Sequence, residues 1–382
     1  MKNNQLKAGR FRLQGPRWNL SGVSVVIERR KSRQIYFGEA PLLEKSPILH
    51  RLIHVNDAEP GIKRIRCGTG FRYVDSQRHA VSATEKARIA ALAIPPAWSN
   101  VWICLDQHGH IQATGRDARG RKQYIYHPEW MAERGQSKFS SLQAFGQKLS
   151  GLRQQIDADM RRRSLGREKV VATVIWMMDR LLLRVGNLNY ARENNSFGIT
   201  TLRNRHIKND GAGLRLVFTG KSGKSWNLKL SDRRIARIVR SVQELPGQQL
   251  FQYIDDEGGR RAVSSQDIND YLRDATGDEF TSKHFRTWAA TAEAVEALRS
   301  TELPESKAAR KRALNQVIDG IAQSLGNTRA VCRSAYIHPR VIEHWEQGNL
   351  AGEVEAAGAK RLIAPRLSKA ERNTLKWLMA SA

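Results

Sequence analysis

"LRLVFTGKSGKSWNLKL", residues 214–230, decides the fold. Apolar and polar residues alternate on both sides of a Gly-rich centre. Leu214, Leu216 and Phe218 fall on one arm, and Trp226, Leu228 and Leu230 on the other. A period of two broken by a glycine turn is a β-hairpin with one buried face. Lys221 and Lys224 then stand at or beside its tip. The end "GKSGKS" is not a phosphate loop, because that pattern needs glycine where Phe218 stands, and the context is strand–turn–strand. "GAG" at 211–213 is followed by Leu216, so the dinucleotide fingerprint also fails.

The text around the hairpin is helical. Val171, Val174, Ile175, Met178, Leu182 and Val185 recur at helical spacing, which predicts an amphipathic helix over 171–185. Similar patterns run through 231–243, 265–276, 283–300, 305–325 and 366–380. Upstream the pattern changes. "GFRYVD" (70–75) and "VWICLD" (101–106) read as strands, and the second begins a hairpin turning at Gln107-His108-Gly109. Between them, "ATEKARIAALAIPPAW" reads as one helix stopped by Pro95-Pro96. Three regions follow: a basic extension at 1–58 given no fold, a small strand-containing domain at 59–136, and a mainly helical domain at 137–382. "RGQSKFS" (134–140) is the expected linker.

The 382 residues carry 64 Lys and Arg against 37 Asp and Glu, a net charge of +27. Such a balance points to a polyanionic partner. No apolar run approaches the roughly 18 residues of a membrane-spanning helix. Cys67, Cys104 and Cys332 are scattered without a CxxC pair, which argues against a zinc site or disulfide framework and fits a reducing compartment. His50 and His54 are one helical turn apart but lack a third ligand nearby, so they read as surface residues. The first acidic residue is Glu28, a bias shared by transit peptides and disordered basic arms; the arm is the preferred reading.

Transesterification of a phosphodiester needs few groups. A nucleophile attacks phosphorus, planar always-charged arginines suit the nonbridging oxygens, and an acid protonates the leaving alkoxide. A tyrosine nucleophile conserves the bond energy in a phosphotyrosine. Candidates are Arg184 in "LLLRVGN", Lys221 on the hairpin, Arg286 in "TSKHFRTWAAT" and Tyr336 in "CRSAYIHP". Taken singly they also read as a helix-end charge, a solvated lysine and a core or surface tyrosine.

Taken together, "GFRYVD", "IPPAW", "HIQATGRDARGRKQYIYHP", "LLLRVGN", "TLRNRHI", "FTGKSGK", "KHFRTW" and "AVCRSAYIHP" resemble, in order, segments of the type IB DNA topoisomerases of the small bacterial and poxvirus-type branch. The resemblance covers roughly residues 59–375. It implies an α+β fold: a two-domain clamp with a small strand-containing DNA-binding domain and a larger mainly helical catalytic domain with a β-hairpin, the catalytic fold shared with tyrosine recombinases. It implies Tyr336 as nucleophile forming a 3′-phosphotyrosyl link, Arg184 and Arg286 on the nonbridging oxygens, and Lys221 as general acid, with Lys224 as the alternative.

One position departs from the poxvirus pattern. Nine residues before Tyr336 the family usually has histidine, and here stands Asn327, an uncharged donor. The resemblance further implies major-groove contact by the segment carrying Arg119, Arg121, Lys122, Gln123, Tyr124 and Tyr126. A basic loop with core tyrosines is the plainer reading of those residues. The expected partner is double-stranded DNA, held by a monomer in the cytoplasm at the nucleoid, with no metal or other cofactor, no ATP and no membrane. A tyrosine recombinase is the rival enzyme, but many of those have histidine three residues before the second arginine, where this chain has Lys283 and places His284 one later. A noncatalytic DNA-binding protein would explain the charge but not the Arg, Lys, Arg, Tyr set.

Overall fold

The computed structural model describes residues 23–26, 52–118, 120–359 and 361–380. Arg119, His50 and most of the 1–58 extension lie outside these described residues. The contacts divide the chain into two units, residues 34–140, and residues 1–33 together with 141–382. The segment 134–140, expected as a linker, is helical and belongs to the Pro128–Asp159 helix, which runs through this division.

The smaller unit is built on an antiparallel sheet in the order Gly70–Val74, Ile62–Cys67, Ser99–Ile103, Ile111–Arg116, Lys122–Tyr126. The hairpin expected from "VWICLDQHGHIQATG" pairs Trp102 with Thr114 and Ile103 with Ala113. Its turn is tied by Asp106, whose carboxylate accepts from the His108 N–H at 2.7 Å and whose carbonyl accepts from the Gly109 N–H at 3.2 Å. Alternation along the strands puts Ile62, Val101, Ile103 and Ala113 into one core with Ile89 of the Ala83–Ala91 helix. Ser82 caps that helix by accepting from the Glu85 N–H. The helix ends earlier than the prolines suggested. Ala93 turns to φ 47°, and Pro95 sits in a following bend whose Ile94, Pro95 and Trp98 carbonyls all accept from the Arg64 guanidinium.

In the larger unit the opening stretch is the expected hairpin. Leu214 pairs with Leu230, Leu216 with Leu228, and Phe218 with Trp226, all six side chains buried. Burying each such side chain is worth about 1.5–3 kcal/mol. The hairpin sits inside a four-stranded antiparallel sheet, in the order Val23–Val26, Ser225–Leu230, Gly213–Thr219, Ile207–Asp210. Four residues of the extension thus form an edge strand, which local patterning did not assign. Helices occupy Arg167–Leu181, Arg233–Gln243, Ser265–Thr276, Lys283–Arg299, Lys307–Ser324 and Lys369–Ala380, close to the predicted ranges.

The first of these stops four residues short of Val185, because Leu182 adopts φ 53° and closes it in a left-handed cap. Val171, Val174, Ile175 and Met178 are buried as their spacing predicted. A buried ion network joins the ends of the fold. Arg153 donates to Asp179 and Glu371, and Glu371 also accepts from the Trp288 indole at 3.1 Å. These bonds hold the Glu371 carboxyl at about 2 against the opposing effect of its burial.

Candidate active site

Arg184 is not on a helix. It follows the left-handed cap at Leu182 and stands in a loop strapped by the next segment, where the Ile199 N–H donates to the Arg184 carbonyl at 2.9 Å and the Thr200 N–H to the Val185 carbonyl at 3.1 Å. The strap needs a glycine. A Cβ on Gly198 would meet the Val185 oxygen at 2.3 Å and the Gly186 nitrogen at 2.6 Å. Backbone therefore packs directly on backbone, and this fixes where Arg184 emerges. Its guanidinium donates to the Asn327 side-chain oxygen.

Arg286 comes from the first turn of the Lys283–Arg299 helix and is buried, with 4% of its surface exposed. It donates to the carbonyl of Leu182 and, at 2.8 Å, to that of Leu325. Both are helix C-caps, so the buried cation sits against the negative ends of two helices. The same guanidinium lies 5.0 Å from the centroid of the Tyr336 ring. Burial first, and then the Arg184 charge, bring Arg286 down to about 10, so it remains cationic at neutral pH.

Tyr336 caps the Arg329–Ala335 helix in a non-helical conformation, φ −133° and ψ −22°. Burial alone would raise its phenol. The charge and hydrogen bonding of Arg286 outweigh burial, with further help from Arg184 and the Asn327 amide, and the phenol falls below its ordinary value. The buried Arg286 Nε and Asn327 Nδ2 have no hydrogen-bond partner. Two unmet buried donors beside an activated phenol suit an incoming anionic oxygen.

The hairpin reaches the same place from another side. Its tip is a short 3-10 turn, Lys221–Gly223, closed by the Gly220 N–H donating to the Lys224 carbonyl at 2.7 Å. Lys224 folds inward, and its ammonium donates to the Asn327 carbonyl at 3.1 Å. Lys221 is exposed and makes no side-chain hydrogen bond or ion pair among the described residues. Trp226 locks the hairpin to the Asn327 segment. Gly326 has φ 59°, and a Cβ there would meet the Trp226 ring at 2.5 Å. The structure therefore brings Arg184, Arg286, Asn327, Tyr336 and the inward Lys224 together, with Lys221 at the open tip. The contact of Lys224 with Asn327 was missed in the sequence because it depends on how the turn folds.

In the smaller unit, Lys122–Tyr126 is an edge strand. Its period puts Lys122, Tyr124 and Tyr126 on one face, with the two rings stacked at 5.8 Å and the Lys122 ammonium 5.4 Å from the Tyr124 ring. Lys122 also pairs with Asp57 at 2.6 Å, and that hydrogen bond raises its pKa. Gln123 takes the other face. It donates to Asp117 at 2.9 Å, the carboxylate that also holds Arg121 at 2.6 Å. Asp117 organises this loop, and sequence reasoning passed over it. His54 stands apart from these groups, in ring contact with His110 at 4.6 Å and with Trp130 at 5.1 Å.

No helix among the described residues is long and apolar enough to cross a membrane. The family described as "Eukaryotic DNA topoisomerase I, catalytic core" matches residues 126–360, and "Bacterial DNA topoisomerase IB, N-terminal domain" matches residues 70–117. A protein named DNA topoisomerase 1B, from Acanthamoeba polyphaga mimivirus, is 32% identical over 294 residues, covering 75% of this chain and 88% of that one. With the catalytic-core match spanning Arg184 to Tyr336, the chain belongs to the type IB DNA topoisomerases, a family of isomerase enzymes that act on DNA.

Proposed function

We propose that this enzyme relaxes supercoiled duplex DNA by cutting one strand through a 3′-phosphotyrosyl bond at Tyr336, letting the free end rotate, and resealing it. The phenolic oxygen, giving up its proton to solvent, attacks phosphorus as the bond to the 5′-oxygen breaks. Lys221 gives that oxygen its proton. Arg184 and Arg286 take the charge growing on the nonbridging oxygens, and Asn327 offers a neutral donor. Resealing is the reverse, with the 5′-hydroxyl as nucleophile and Tyr336 as leaving group. One phosphodiester is exchanged for another, so ATP is not consumed, and the fixed cations supply the electrostatics a metal would otherwise provide.

What carries this function is one juxtaposition, the buried Arg286 guanidinium against the Tyr336 ring with an unsatisfied Nε–H beside it. A monomer closing its two units around duplex DNA accounts for the division of the chain. Lys122, Tyr124 and Tyr126, and with them Arg119, Arg121 and Gln123, are the groups we assign to the groove and its phosphates. Such an enzyme works in the cytoplasm, at the nucleoid.

Covalent trapping tests the assignment. On a duplex whose cleaved strand loses its short 5′-hydroxyl leaving fragment by diffusion, the wild type accumulates a protein–DNA adduct attached at the 3′ end, and Tyr336→Phe forms none. An adduct with Tyr336→Phe, or one at the 5′ end, overturns it. Strand exchange between two sites would favour the recombinase.

A further inference from the structure

We propose that Thr291 is a positioning residue for the nucleophile, holding the backbone on which Tyr336 is mounted. The proposal rests on Tyr336 being the nucleophile. Tyr336 lies in a short bend between the Arg329–Ala335 and Pro339–Glu346 helices. The bend leaves backbone groups without helical partners. The Tyr336 and Ile337 N–H groups both turn back to the Cys332 carbonyl, at 3.1 and 3.3 Å. The Tyr336 carbonyl and the His338 N–H are taken up by one side chain. The Thr291 hydroxyl donates to the Tyr336 oxygen at 3.2 Å and accepts from the His338 nitrogen at 3.2 Å.

Thr291 is unusual among the threonines of these helices. Thr173, Thr276, Thr287 and Thr374 each donate to the carbonyl four residues earlier in their own helix. That is the ordinary local bond of a helical threonine. Thr291 instead sends its hydroxyl across to the nucleophile segment, from a fully buried position at 0% exposure. It stands five residues after Arg286 on the same Lys283–Arg299 helix. One rigid helix therefore presents both the cation that lowers the Tyr336 phenol and the hydroxyl that fixes the Tyr336 main chain. The distance between phenol and guanidinium is thus set within a single element. Without the hydroxyl, the half-buried Tyr336 carbonyl and His338 N–H lose the bridge that ties them together, and the bend is free to relax away from Arg286.

The test compares Thr291→Val, which keeps the shape and removes the bridge, with Thr291→Ser, which keeps the bridge. Three quantities are measured on a suicide duplex: single-turnover cleavage rate, resealing rate on adding a 5′-hydroxyl strand, and noncovalent affinity. Thr291→Val is expected to lose about 10- to 100-fold in both rates, as small misplacements of reacting groups do, with affinity within about twofold of wild type. Thr291→Ser is expected to recover most of both rates. Wild-type rates in folded Thr291→Val overturn the proposal, as does a loss confined to affinity. If Thr291→Val does not fold, Thr291→Ser decides alone: rates near wild type sustain the hydroxyl bridge, and rates down by about 10-fold or more refute it. Wild-type protein that forms no adduct at all would instead remove the tyrosine mechanism on which the proposal stands.

Discussion

The Arg286 guanidinium lies over the Tyr336 ring, 5.0 Å from its centroid, while its two terminal nitrogens donate to the carbonyls of Leu182 and Leu325. One side chain thus ties two helix ends to Tyr336 and lowers its phenol.

Lysine cannot replace Arg286, because its compact ammonium has no planar fork to serve two carbonyls and a phosphate together. Arg286→Lys is expected to slow single-turnover cleavage by at least about 100-fold. It should also move the acid limb of the pH–rate profile upward, since the phenol loses the group that lowers it. A profile unmoved in pH would separate Arg286 from the phenol.

Lys221 and Lys224 have different expected roles. Lys224 donates to the Asn327 carbonyl, so Lys224→Ala should loosen the Asn327 segment, whereas Lys221→Ala should remove the proposed proton donor. A sulfur in place of the 5′ bridging oxygen leaves without needing a proton. On that substrate Lys221→Ala should regain most of its cleavage rate, and Lys224→Ala should not. The reverse pattern would make Lys224 the acid.

Asn327→His should keep relaxation activity, because imidazole offers an N–H at the same place. Asn327→Ala should lose about 10-fold or more, since it removes the acceptor for Arg184 as well as the unmet donor. Equal activity in all three proteins would take Asn327 out of the site.

The hairpin at 214–230 was legible because its face alternates locally, and the paired leucines fell on one side as their spacing required. The same holds for the helices at 233–243 and 265–276, whose starts are marked by Asp232 and Ser264 caps. Arg184 was legible as a residue but not in its setting. The left-handed Leu182 and the Gly198 strap that detach it from the helix are contacts between separate segments. The Val23–Val26 strand was hidden for the same reason, since its partner Ser225–Leu230 is about 200 residues away. Thr291 carried no signal, because nothing in its neighbours says that its hydroxyl leaves its own helix.

Acid should weaken the larger unit. Burial, with Arg205 and Arg203 for one and Arg340 and His344 for the other, pushes His206 and His338 down to about 4. The unfolded chain takes up protons below about 6.5, while the folded one resists until about 4, so stability falls as pH drops through that window. Each histidine contributes on the order of 1–3 kcal/mol to the fall. His338→Asn keeps an acceptor for the Arg340 N–H and should show a smaller drop in Tm between pH 7 and 5. An unchanged drop would take His338 out of the acid response.

Relaxation of negatively supercoiled plasmid, in EDTA and without ATP, with wild type beside Tyr336→Phe, tests the central claim most directly. The account predicts full relaxation by the wild type and none by the variant. Relaxation by both, or a wild type that needs ATP or a divalent metal, would contradict it.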